Sequence, residues 1–168
     1  FDNGNKISAQ YMQDLIWHLE NDPSPDRAIS MATDARLMEL VPLIAKHLDN
    51  EDDFIRELAV GCVVGRLQVA EYAEKALNMA QEEPDGGPRT IAISSLGAVI
   101  NKVDPILQQQ IASHLYSVII NPEYDNVDKR CAFDAILEAM DISIIQRRAI
   151  CYDANHELLQ QFKVKYNI

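Results

Sequence analysis

The sequence predicts an all-helical fold built from about four stacked helical hairpins. Three observations carry this expectation. Gly (6) and Pro (7) are sparse among 168 residues, and apolar residues make up 48%, enough for one domain with a sizeable core. The aliphatic residues and alanines recur every three or four positions rather than every two. Four segments also share one frame: Arg27-Ala-Ile-Ser30, Arg56-Glu-Leu-Ala59, Arg89-Thr-Ile-Ala92 and Lys129-Arg-Cys-Ala132, at steps of 29, 33 and 40 residues. Each opens on a cation, and a small residue stands three positions later. Self-similarity at this period marks hairpins that bury their apolar sides only against their neighbours.

Residues 1–168 read as one domain, with residues 1–6 a frayed start. Ser8 is placed to cap a first helix running to about Glu20, with Ala9, Met12, Leu15, Ile16 and Leu19 as its apolar stripe and Trp17 on its flank. Asn21-Asp-Pro-Ser-Pro25 breaks it, because neither proline continues a helix from the preceding turn. A short helix from Asp26 to about Asp34 follows. Leu37, Leu40, Val41, Ile44, Ala45 and Leu48 form the next stripe. Pro42 falls inside that stripe, and one helix bent at Pro42 is expected. Asp49-Asn-Glu-Asp-Asp53 is an acidic turn in which Asp52 or Asp53 caps the next helix. It lacks the sixth-position Gly and twelfth-position Glu of a calcium loop.

The helix from Asp53 to Leu67 is so apolar that it is expected to be the most buried. Gly61 and Gly65 lie on one face, spaced by four, which predicts close approach of a neighbouring helix there. A helix over about 69–83 then buries Val69, Ala73, Ala76, Leu77 and Ala80. Pro84-Asp-Gly-Gly-Pro88 is a turn, followed by a helix from Arg89 to Val103. Asp104-Pro105 starts the next, with Ile106, Leu107, Ile111, Leu115, Val118 and Ile119 inward. After the connection at Asn121–Val127, Asp128 or a neighbour caps a helix running to about Met140. A last helical stretch spans Ser143 to about Lys165, with a break near Asp153-Ala-Asn155.

The formal net charge is −11, and it is uneven: residues 1–100 hold 17 acids and 8 bases, residues 101–168 hold 9 and 7. That balance argues against phosphate-backbone binding, which needs clustered Lys and Arg, and points to a basic partner if the partner is charged. Cys62, Cys131 and Cys151 are odd in number and sit in apolar-periodic segments, so free thiols in a reducing compartment, the cytoplasm, are expected. The chain opens at Phe1 rather than Met, which leaves a removed signal peptide open. No apolar run approaches the ~20 residues of a membrane span.

Catalytic and metal signatures are missing from the sequence. None of His18, His47, His114 and His156 has a His or Cys three or four residues away, His156-Glu157 lacks a second His, and there is no Cys-x-x-Cys or Gly-x-Ser-x-Gly. Neither a cofactor, nor a metal, nor an enzymatic reaction is therefore expected. Arg147-Arg148 reads as a surface or inter-helix ion pair.

The pattern of acidic turn, Arg, Ala and Leu-Gly resembles the HEAT-repeat family of armadillo-like α-solenoids. It is visible as Asp53-x-x-Arg56-x-x-Ala59 and as Arg89-x-x-Ala92 ending Leu96-Gly97. Residues 50–103 match best. The fourth unit departs, with Lys129 in the Arg place and no Leu-Gly, and the first has no Gly either. The resemblance implies a right-handed superhelix whose concave face, lined by each repeat's second helix, binds another protein. Carried onto this chain, that face includes Glu39, Glu71, Glu74, Asn78, Gln109, Tyr116 and Tyr152, acidic in its first half. The function expected is a non-enzymatic interaction scaffold, in one concrete form an inhibitor or immunity-type protein covering a basic effector such as a nuclease toxin. The alternatives are a HEAT-like enzyme or subunit attaching pigments or cofactors, and a DNA-repair-type nucleic-acid binder, which the charge disfavours.

Overall fold

The computed structural model describes residues 8–150 and 156–168, and no strand occurs among them. Ten α-helices follow in order: α1 (Ala9–Asn21), α2 (Asp26–Asp34), α3 (Val41–Ala45), α4 (Asp53–Val60), α5 (Ala73–Glu82), α6 (Gly86–Val99), α7 (Pro105–Ile120), α8 (Asn126–Ala139), α9 (Ile144–Arg147) and α10 (His156–Tyr166). The expected starts of the frayed segment at 1–6 and the break near Asp153 lie outside the described residues.

Side-chain caps fix five of the helix starts. The Ser8 side chain accepts from the Tyr11 N–H, Asp52 from Phe54 and Ile55, and Asp104 from Ile106 and Leu107. At α8, where the sequence offered Asp128 or a neighbour, the cap is the neighbour Asp125, which accepts from the Val127 and Asp128 N–H groups. Asp128 is instead wholly buried inside the first turn. Ser143 and Gln146 close a reciprocal capping box on α9.

Three expected elements are built differently. The stripe over 37–48 is not one bent helix: a 3-10 turn (Met38–Leu40) leads into α3, and a second (Lys46–Asp49) leaves it. Pro42 thereby sits in the first turn of α3, where its missing N–H costs nothing. The apolar run over 53–67 begins as α4 and continues as a π-helical segment, Gly61–Arg66. Gly86 and Gly87 belong to the first turn of α6 rather than to a turn before it.

The helices form two rows. α2 packs on α4, α4 on α6 and α6 on α8; behind them α1 meets α3, and α5, α7 and α10 adjoin in turn, with α5 crossing onto α6 and α7 onto α8. The 53–67 stretch is not the most buried: α6 and α8 each bury half of their residues, a larger share than that stretch does. Helix α6 touches α4, the π segment, α5 and α8. Small residues allow this. A Cβ on Gly61 would lie 3.1 Å from the Ile91 methyl, and one on Gly65 2.9 Å from Ser95 Oγ, so the expected close approach is made by α6. A Cβ on Gly97 would lie 2.5 Å from the Ala135 carbonyl oxygen, which makes α6 and α8 the tightest crossing of the three. Ile106, expected inward, is 73% exposed, because α7 leaves its first turn outside the row contact.

The repeat frame holds for three units and shifts in the first. Arg56, Arg89 and Lys129 are each the fourth residue of their helix, and each follows an N-cap Asp by four positions. Ala59, Ala92 and Ala132 are fully buried at the row contacts. Arg27 is the second residue of α2 after a Pro cap, and the buried Ala32 rather than Ser30 takes the small-residue place.

Two of the frame cations bind acids further along the chain. Arg56 meets both carboxylate oxygens of Glu83, at 3.1 and 2.9 Å, and Asp85 at 2.7 Å, while its other terminal nitrogen donates to the Asn50 and Glu51 carbonyls. Arg89 reaches Asp128 at 3.0 Å, and Thr90 donates to the same carboxylate at 2.6 Å. At the far end Tyr166 donates to Asn101 Oδ1 at 2.7 Å, and burial raises its phenol pKa to about 12. Arg147 pairs with Glu138 at 3.2 Å, which makes it the inter-helix ion pair expected of the Arg147-Arg148 step.

Candidate functional site

The second row presents a different surface from the first. Glu71 sits in a 3-10 turn (Ala70–Tyr72), and Glu74 and Asn78 follow on α5 at the three-and-four spacing that puts them on one face. All three are exposed, as is Glu39 in the turn ahead of α3. None of Glu39, Glu71 and Glu74 has an ion-pair partner among the described residues. Other acids nearby divide: Asp34 pairs with Arg66, Asp49 with Lys75, and Glu83 and Asp85 with Arg56, whereas Glu51, Glu57 and Glu82 also make no ion pair among the described residues. Glu71 pushes the half-buried Tyr72 phenol upward, second to the effect of that ring's burial.

The remaining expected residues divide. Gln109 is exposed on α7, and its amide donates to the Asn167 carbonyl at 2.8 Å. Tyr116 is half-buried, with the Lys163 ammonium 4.9 Å above its ring, so α10 covers it. Tyr152 lies outside the described residues. The fold thus brings Glu71, Glu74 and Asn78 together, places Glu39 on a separate second-row segment, and engages Gln109 and Tyr116 with the C-terminal segment.

Between α5 and α7 lies a hollow of about 510 Å³ lined by Gln81, Gln109, Gln110, Ser113, His114 and Ser117. His114 is buried, and the Tyr124 ring meets it edge-on at 6.4 Å. Burial pushes its imidazole below the ordinary range, with the Ala80 carbonyl pulling the other way. This residue was not singled out from sequence, although its spacing from Ile111 and Val118 puts it on the apolar stripe of α7.

A second hollow, of about 330 Å³, lies between α1 and α2 and is lined by Tyr11, Asp14, His18, Asp22 and Arg27 among others. His18 Nδ1 is 3.0 Å from Asp22. The Ser24 N–H, and then His18, hold the Asp22 carboxyl below its usual range. That direction keeps it ionised and is opposite to that of a general acid poised near neutrality. No grouping of three or more His, Cys, Asp or Glu side chains able to hold a metal occurs among the described residues. No helix among them is long and apolar enough to cross a membrane.

A comparison of the chain with family models, curated proteins and solved structures finds no match in any of the three. The functional reading therefore rests on the residues themselves.

Proposed function

We propose that the chain is a HEAT-like α-solenoid of about four hairpins, and that the exposed side of its second row is the concave face that binds another protein through a basic surface. The observation that carries this is the grouping of exposed carboxylates at Glu71 and Glu74, with Glu39 on a separate segment of the same row, all without ion-pair partners among the described residues. A free acidic face costs self-repulsion at a net charge of −11 and gains from a cationic partner, which it also steers toward the encounter. The interdigitated first row and the Arg56 and Arg89 ties support the solenoid reading, since each joins one hairpin to the following one. An inhibitor or immunity-type protein that masks a basic effector is the concrete form this takes.

The test is affinity capture on the immobilised chain at low and high salt, with the bound proteins identified by mass spectrometry. A basic protein captured at low salt should be lost at high salt and lost again when Glu71→Lys and Glu74→Lys are combined. Capture indifferent to both salt and the double reversal counts against the acidic face.

A further inference from the structure

The hollow of about 330 Å³ between α1 and α2 holds two opposite charges that do not meet. Asp14 comes from α1 and Arg27 from α2, and both are exposed. They line the same space, yet no ion pair joins them. Arg27 has neither a hydrogen bond nor an ion pair among the described residues. Asp14 accepts only the Gln10 amide, at 2.8 Å on one oxygen, and leaves the other oxygen open. Room therefore remains between the two for a group that bridges them.

A third polar group in this wall is fixed in orientation. The Ser24 N–H donates to Asp22 at 3.0 Å and is the main reason that carboxyl stays ionised. An ionised carboxylate only accepts, so His18 Nδ1, 3.0 Å from the second Asp22 oxygen, carries a proton. In the neutral ring Nε2 is then an acceptor. Asp14 and His18 stand four residues apart on α1, so they are neighbours on one helix face. The floor below them is apolar, with Leu15 and Ala28 buried and Met31 half-buried.

This lining selects a class of ligand. The volume is at the small end of ligand sites, so the ligand is small. A cation alone would face Arg27, and an anion alone would face Asp14 and Asp22. A molecule with both charges on a short hydrocarbon body gives each wall its counter-charge and covers the floor.

We propose that this hollow binds a small aliphatic zwitterion of the amino-acid class. Its carboxylate meets Arg27, its ammonium meets Asp14 and His18, and its hydrocarbon lies on Leu15, Ala28 and Met31. The site is separate from Glu71 and Glu74 and does not depend on the reading of the second row.

The experiment titrates the isotope-labelled whole chain with four probes at fixed ionic strength, read by amide chemical shifts. L-Leucine and ε-aminocaproate carry both charges at different spacings; hexanoate and hexylamine carry one each. A ligand this small is expected to bind with a Kd of about 1 mM. The expected result is that at least one zwitterion shifts amides within residues 11–31 and binds roughly fivefold or more tightly than either single-charge probe. Which zwitterion does so reports the spacing of the two charges. Arg27→Gln should lower that zwitterion to the level of hexylamine, and Asp14→Asn to the level of hexanoate. Both residues are exposed and make no ion pair, so the variants keep their fold; the four-probe comparison on the unaltered chain stands even where one does not. Absence of shifts with either zwitterion, a single-charge probe that binds equally well, or zwitterion binding that folded variants leave unchanged overturns the proposal.

Discussion

The two rows of helices use the same residue types in opposite ways. In the first row, charge is turned inward. Arg89 meets a carboxylate, Asp128, that is wholly buried, and Arg56 is held by two acids and two carbonyls. Glycines and alanines there let backbones close to contact distance. In the second row the acids at Glu39, Glu71 and Glu74 stay in solvent, and polar amides line a hollow instead of filling it. The difference teaches that composition alone does not separate a charge held inside the fold from one left to solvent. For Asp128, Glu83 and Asp85 the fold supplies the counter-charge itself; for Glu39, Glu71 and Glu74 it does not.

The sharpest way to break this contrast is to remove a first-row cation. Arg89→Ala leaves Asp128 buried and unpaired, and we expect a loss of about 3–5 kcal/mol in denaturant unfolding. Gly97→Ala drives a methyl into the Ala135 backbone. Because backbone cannot rotate aside, a loss of about 1–3 kcal/mol is expected.

The second row predicts a pH effect of the opposite origin. His114 has a folded pKa below its unfolded value of about 6.5, so the unfolded chain binds the extra proton. Its contribution is therefore flat above pH 6.5, and stability falls as pH drops through that value toward the folded pKa. Following Tm between pH 7.5 and about 5 should show this slope reduced in His114→Leu, with other titrating groups common to both proteins. The smallest effect is expected on the acidic face itself. Reversing Glu71 and Glu74 to Lys should not lower Tm, because those side chains make no ion pair to lose and the chain's self-repulsion falls.

How much of this was legible in the sequence follows the same division. Periodicity placed the helices, because the apolar stripe and the Asp or Ser caps are local signals, as at Ser8, Asp52 and Asp104. Helix ends were read less well. The chain passes through the left-handed region at Arg36, Gln68 and Asp141, none of them a glycine, so the usual terminator is absent where α2, the π segment and α8 close. The phase of the first unit is hard to read because Arg27-Ala-Ile-Ser30 mimics the pattern two residues too early. Asp128 looked like a cap because burial of a carboxylate depends on Arg89 and Thr90, almost 40 residues away. The acidic set could be named from repeat position, but only coordinates showed that Gln109 and Tyr116 are engaged by the C-terminal segment and that His114 stands in their midst.

The central claim, that the second row faces the partner, is tested most directly by hydrogen–deuterium exchange of the chain alone and with its captured partner. The account predicts slowed exchange in the segments around Met38–Leu40, Ala70–Glu82 and Pro105–Ile120, with α4, α6 and α8 unchanged. Protection confined to α4, α6 and α8, with the second row exchanging as before, would contradict it.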